Sequence, residues 1–315
     1  MAGDSLEFSV MATTFQPGLV HTPATPFTRE GAIDLNRYRK LIEFHLSNGA
    51  ETLALPMHLG ESVSLSDSER RTLLEFVIKC LDGRRPIIAH VSETGTAIAT
   101  ALAVHAQEAG AAAIIATTPY YWTPPPRMVL EHFFRIGSAV KIPFFLYNAP
   151  EDMQGGKVNA ELCLKLIEKL PNFAGVVDLS FDWQFMIELI SDAPIVHPGF
   201  QLLAGAELMV SAGAIGATGM FAPLAGIAPR LVRELYELCG DQKLFEARKA
   251  QEQLAALRQT VKSRGVASLK AAMRAMGRDC GEPRPPVLPL DAVACQKLVG
   301  ELDTIASLRS EPRGW

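Results

Sequence analysis

The chain has few cysteines, few aromatic residues and no surplus of either charge, and each shortage narrows what it can be. Five cysteines, Cys80, Cys163, Cys239, Cys280 and Cys295, are scattered without CxxC spacing, and an odd number cannot pair completely within one chain. They are expected as reduced, mostly buried thiols. A formal net charge of -4 leaves no basic footprint for nucleic acid or anionic lipid, so the expected partner is a small molecule. No uninterrupted apolar run approaches a membrane-spanning length. The first residues, MAGDSLEFSVMATTFQPG, carry acids and no continuous apolar stretch, unlike a secretory signal or a transit peptide. The expectation is a cytoplasmic protein with no membrane and no nucleic-acid partner.

What is present is apolar: 48% of 315 residues, enough to bury a large core in either two ordinary domains or one barrel. Pattern decides between them. Short apolar runs alternate with longer segments of helical period, the signature of a parallel sheet wrapped by helices. Eight runs are expected as strands, at 18–22, 52–57, 86–91, 112–117, 143–148, 174–178, 195–198 and 213–219. Ser66 with Glu69 forms a capping-box pattern, and Thr96 and Asn159 stand where helix N-caps belong. These features predict a (β/α)8 TIM barrel at 18–228, preceded by a segment at 1–17 and followed by a C-terminal helical extension at 229–315. A proline-rich EPRPPVLPL interrupts that extension before a last helix at about 291–308. In such barrels the loops at the carboxyl ends of the strands carry the chemistry.

Several segments, taken in order, resemble the dihydrodipicolinate synthase and N-acetylneuraminate lyase family. They are TPF at Thr25 to Phe27, GESVSLSDSER at Gly60 to Arg70, PYY at Pro119 to Tyr121, YNAP at Tyr147 to Pro150 and GVVD at Gly175 to Asp178. Gly199 fits the family's glycine after strand seven, AGAIGATG its glycine-rich eighth strand, and LKAAMRAMG followed by RPPVLPL its C-terminal signature. Each fragment alone is ordinary barrel punctuation. Their order carries the resemblance.

The resemblance implies a lyase whose strand-six lysine forms a Schiff base with a 2-oxo acid. At that position this chain has Val177, which has no amine. The family's paired threonines before Gly-Glu correspond to His58 and Leu59, and its arginine after the YNxP proline corresponds to Asp152. A carboxylate in place of a cationic fork reverses the electrostatic preference for an acidic substrate. Tyr147 matches the family's proton-transferring tyrosine, and Tyr121 the tyrosine that reaches a neighbouring subunit's site, which implies a homodimer or homotetramer. His58, Tyr147 and Tyr121 are therefore expected as the catalytic groups, imidazole and phenol being able to exchange protons near neutral pH. Leu59, Gly60, Glu61, Asp152, Val177, Gly199 and Thr218 are expected to bind substrate.

His90 and His197 are also candidates for the barrel mouth, where His58, Glu61 and Asp178 would complete a metal site. No HxH or HExxH spacing supports it, and no metal or other cofactor is expected. Trp122, in YYWTPPPR, either stacks on a ligand or packs against a second subunit, and packing is the preferred reading. Two function classes remain open: a lyase acting on a small oxo- or hydroxy-acid by non-covalent acid-base chemistry, and a catalytically inactive barrel that binds a metabolite or supports an assembly.

Overall fold

The computed structural model describes residues 15–150, 156–262 and 264–315. Eight parallel strands close in sequence order into a barrel: β1 Leu19–His21, β2 Thr52–Leu55, β3 Ile87–His90, β4 Ala113–Ala116, β5 Phe144–Asn148, β6 Phe173–Asp178, β7 Gln201–Gly205 and β8 Gly219–Ala222. All eight are buried along their whole length, as strands covered on both faces must be. The helices between them are α1 Leu35–Ser47, α2 Asp67–Leu81, α3 Thr96–Ala109, α4 Pro126–Ser138, α5 Ala160–Lys169, α6 Trp183–Val196 and α7 Met209–Ala214. After β8 come α8 Pro229–Gly240, α9 Leu244–Lys262, α10 Gly265–Ala275 and α11 Ala292–Thr304.

Alternation along each strand divides the core. Val20, Ile88, Phe145, Val177, Leu203 and Phe221 belong to the cluster that fills the barrel, while neighbours such as Leu53, Ile114, Leu146 and Val176 pack outward with the helices. Gly175 on β6 is required by close approach, because a Cβ there would lie 2.2 Å from the carbonyl oxygen of Gln201. α8 continues the alternation directly after β8, and α9, α10 and α11 follow it.

Six expected strands coincide with observed ones to within a residue or two, and two do not. The run at 195–198 is the end of α6 and the loop after it; Ile195 is 81% exposed. The true seventh strand, QLLAG, contains no β-branched residue, so β propensity pointed to its neighbour. The glycine-rich run expected as strand eight is mostly α7 and a turn, and β8 starts where that run ends. Among the caps, Ser66 and Glu69 form the reciprocal box and Asn159 accepts the Leu162 N–H at 2.9 Å. Thr96 is the first residue of α3, with Gly95 as its cap, and its hydroxyl meets His132 Nδ1 at 2.9 Å instead.

Candidate active site at the barrel mouth

Strand ends build the floor and walls of a cleft at the carboxyl-terminal face. Thr22 follows β1, Met57 and His58 follow β2, Tyr147 lies on β5, Leu179 follows β6 and Phe221 lies on β8. The cleft measures about 780 Å3 including its open mouth. One side is closed from outside the barrel by Arg258, Val261 and Lys262 of α9 and by Gly265 of α10. Apolar side chains form most of the wall, so the polar groups that do reach it decide how a ligand is oriented.

Of the expected site residues, Tyr147, His58 and Leu59 line the cleft together. His58 and Leu59 belong to a single helical turn, His58–Gly60, at the end of β2. Tyr147 is buried with its ring 6.4 Å from that of Phe221. Directly across the ladder from Tyr147 stands Val177, fully buried among the barrel-filling side chains. Gly60 backs the turn: its carbonyl accepts the Thr25 hydroxyl at 2.5 Å, and a Cβ would press to 3.0 Å on the Pro23 carbonyl.

Other expected residues lie elsewhere. Glu61, in a left-handed conformation at φ 59°, turns into the C-terminal segment. One oxygen meets the Lys270 ammonium at 2.6 Å and the other accepts the Arg284 N–H at 2.8 Å. Gly199 precedes β7 and Thr218 precedes β8, which puts both at the amino-terminal face, opposite the cleft. The glycine at the end of β7 is Gly205; a Cβ there would lie 2.8 Å from Leu179. Tyr121 is 95% exposed in this chain, at φ 81°, and Trp122 beside it is half exposed. Asp152 lies outside the described residues.

The candidate metal residues do not converge, and among the described residues no three His, Cys, Asp or Glu side chains gather as a metal set. His90 is buried at the end of β3, its Nε2 2.7 Å from Ser92 Oγ, and that hydroxyl also accepts the Thr117 N–H. Burial first, then the charges of Arg70 and His58, hold its imidazole well below the ordinary range. His197 is buried after α6 at the amino-terminal face, its Nδ1 accepting the Gly199 N–H at 3.2 Å. Asp178 accepts Asn148 Nδ2–H at 2.6 Å and the Ser180 hydroxyl at 3.2 Å, clamping the ends of β5 and β6. Burial pushes its carboxyl up to about 6.

Sequence reading missed Glu207, Arg258 and Lys262, all of which line the cleft. Glu207, two residues beyond β7, accepts the Arg258 Nε–H at 2.6 Å, and the Arg258 guanidinium lies 5.2 Å from the centre of the Phe181 ring. The signals were an acid following the Ala-Gly that ends β7, and two cations one helical turn apart on α9. A shifted seventh strand hid the first, and the second resembled an ordinary solvated helix face.

The fold is a (β/α)8 barrel, an architecture whose functional sites lie at the carboxyl ends of the strands, and the cleft lies at that face. The model of the dihydrodipicolinate synthetase family matches residues 16–305, and the chain belongs to that family. It is 31% identical over 273 residues to a 4-hydroxy-tetrahydrodipicolinate synthase of Methanopyrus kandleri, covering 86% of this chain and 90% of the relative. A 4-hydroxy-tetrahydrodipicolinate synthase of an Azoarcus species is 33% identical over 238 residues, covering 74% and 77%. Among solved structures, dihydrodipicolinate synthase from Aquifex aeolicus superposes with a TM-score of 0.85 at 27% identity, covering 92% of this chain and 97% of that one. No helix among the described residues is long and apolar enough to cross a membrane.

Proposed function

We propose that this barrel is a lyase acting on a small oxo- or hydroxy-acid by proton transfer at His58 and Tyr147, without an enzyme-bound imine on strand six. The observation that carries the reading is that imidazole and phenol line one cleft while the ladder position facing Tyr147 is Val177. Without an iminium, the electron pair released at carbon must pass to the substrate's own carbonyl oxygen. That oxygen needs a donor held in place, and Tyr147 on a buried strand supplies a phenolic O–H. His58 then removes the proton from carbon or from a hydroxyl, as carbon-oxygen or carbon-carbon cleavage requires. The synthases among its relatives are named for a condensation; for this chain the proposal is a different lyase reaction.

A homodimer or homotetramer completes the proposal. Tyr121 holds a backbone conformation that costs about 1–3 kcal/mol and leaves its ring in solvent, which favours a contact with a second copy. The rival reading, a ligand-binding barrel without turnover, draws on the apolar wall formed by Met57, Leu59, Leu179 and Phe221.

Borohydride reduction in the presence of pyruvate, read by intact mass, should leave the protein unmodified. An adduct on any lysine, Lys262 in the cleft included, overturns the non-covalent mechanism. Once turnover is found by screening oxo- and hydroxy-acids, His58→Gln and Tyr147→Phe should each lower kcat by about 100-fold or more. Ligand-induced thermal shifts with no turnover across that screen would favour the binding module.

A further inference from the structure

Stretches far apart in the sequence meet behind the single helical turn that carries His58. Thr25 and Phe27 come from the loop after β1, Glu61 from the end of the turn itself, Lys270 from α10, and Arg284 from the proline-rich segment after α10. Backbone bonds close the turn, the Gly60 N–H donating to the Met57 carbonyl and the Glu61 N–H to the His58 carbonyl, each at 2.9 Å. A turn this short fixes few dihedrals by itself, so its orientation depends on what grips it from outside.

On one side the Thr25 hydroxyl donates to the Gly60 carbonyl at 2.5 Å. On the other the Glu61 carboxylate is held at both oxygens, by the Lys270 ammonium at 2.6 Å and by the Arg284 backbone N–H at 2.8 Å. The groups that hold it are themselves fixed. Lys270 also donates to the Glu282 carbonyl at 3.2 Å, and the Arg284 guanidinium donates to the carbonyls of Gly31 and Ser64 and to the Glu69 carboxylate. The buried Phe27 ring has its centre 4.2 Å from the first cation and 4.4 Å from the second. Glu61 itself sits at φ 59°, a left-handed conformation that a residue with a Cβ adopts only at a cost. Freed of its anchor, residue 61 would relax toward negative φ and swing the turn that ends on it.

We infer that Glu61 is a positioning residue for His58: through its carboxylate, Lys270 of α10 and Arg284 hold the turn at the angle that presents the imidazole to the cleft. A helix far beyond β8 in the chain thereby sets the geometry of a group that follows β2. This rests on the proposal that His58 transfers protons, but the placement of the imidazole can be measured whether or not it does.

Carbon-proton NMR of the imidazole rings in the full-length protein tests the inference. The chain has 7 histidines, and the His58 signal is the one lost in His58→Gln. The double variant Glu61→Gln/Lys270→Met removes the ion pair without leaving a lone buried charge. Its His58 signal should move at least about threefold further than in Leu166→Ala, a core truncation on α5 across the barrel from β2 that also costs stability. With a turnover assay in hand, the double variant should lower kcat by about 10- to 100-fold while KM changes by less than about threefold, and Leu166→Ala should leave both near wild type. If the double variant does not fold, Glu61→Asp, which draws the carboxylate back from both partners and keeps its charge, gives the same comparison. A folded variant whose His58 signal moves no further than that of Leu166→Ala overturns the inference, even where His58→Gln abolishes turnover. A displaced signal in a protein whose His58→Gln form keeps its turnover supports the positioning and removes the acid-base reading instead.

Discussion

Val177 and Tyr147 are direct register partners on β6 and β5, so the residue beside the phenol presents only an isopropyl group. Installing an amine there should supply a group for covalent capture of a 2-oxo acid. V177K, expected to lose a few kcal/mol of stability from burying a cation (about 1–3 kcal/mol by the usual range for single changes), should form a reducible adduct with pyruvate at residue 177. Peptide mass mapping after borohydride reduction checks this. A folded V177K that forms no adduct would mean that this position does not address the cleft.

Glu61 and Lys270 form an ion pair whose side chains are 3% and 1% exposed, with Lys270 also 4.2 Å from the centre of the Phe27 ring. Removing one partner leaves the other charged and buried. Glu61→Gln and Lys270→Met should each cost about 3–5 kcal/mol, and the double variant less than the sum. Urea unfolding of the three variants measures the coupling. A Glu61→Gln protein as stable as wild type would return this residue to the list of ligand-binding candidates.

Buried histidines should make the protein acid-labile. Burial lowers His21 to about 3 and His132 to about 4, and it holds His45 and His90 well below the ordinary range. Unfolding returns each to about 6.5. Between the folded and unfolded values the unfolded chain binds more protons, so stability rises with pH through that window and is lost as pH falls from 6.5 toward 3. The melting temperature should be nearly flat above pH 7 and drop steeply below 6. His132→Gln should flatten the slope.

Asp178 works in the opposite direction. Its folded value of about 6 lies above the ordinary 3.8, so the stability favoured by its neutral form is present below 3.8 and lost as pH rises through 6. Asp178→Asn keeps a carbonyl to accept from Asn148 and removes the buried charge. At pH 7 it should be more stable than wild type by about 2–3 kcal/mol, with little difference at pH 4. Chemical denaturation at the two pH values separates the outcomes; equal stability at pH 7 would place the carboxylate in a better-solvated setting than its burial indicates.

The fold was legible wherever local chemistry and burial agreed. Strands such as IIAH, AIIA and FFLYN carry apolar or β-branched residues that stand out from their flanks, and the Ser66–Glu69 box marks the start of α2 in the sequence itself. The failures lie at two strands. β7 is built from Gln, Leu, Ala and Gly, with no β-branched residue to mark it, so Gly199 falls before the strand and not after it. The glycine-rich run at 213–219 is mostly helix and turn, so Thr218 falls just before β8 and not near its end. His58 and Tyr147 could be placed because each follows or ends a clear strand. Arg258 could not, because its partner Glu207 is 51 residues away and only closure of the barrel brings the two together.

The last residues of the chain return to the barrel. The Glu311 carboxylate accepts the N–H groups of Arg230 and Leu231 at the start of α8, and the buried Arg278 guanidinium donates to the carbonyls of Gly226, Ile227, Pro312 and Gly314. A purification handle fused behind Trp315 would therefore emerge beside a clasp that secures the eighth repeat. Trimming the tail to tidy a crystallisation sample would strip that helix of its anionic cap and leave a guanidinium facing vacated carbonyl positions while still holding Gly226 and Ile227, a few residues along the chain from Pro223 and Leu224 of the cleft wall.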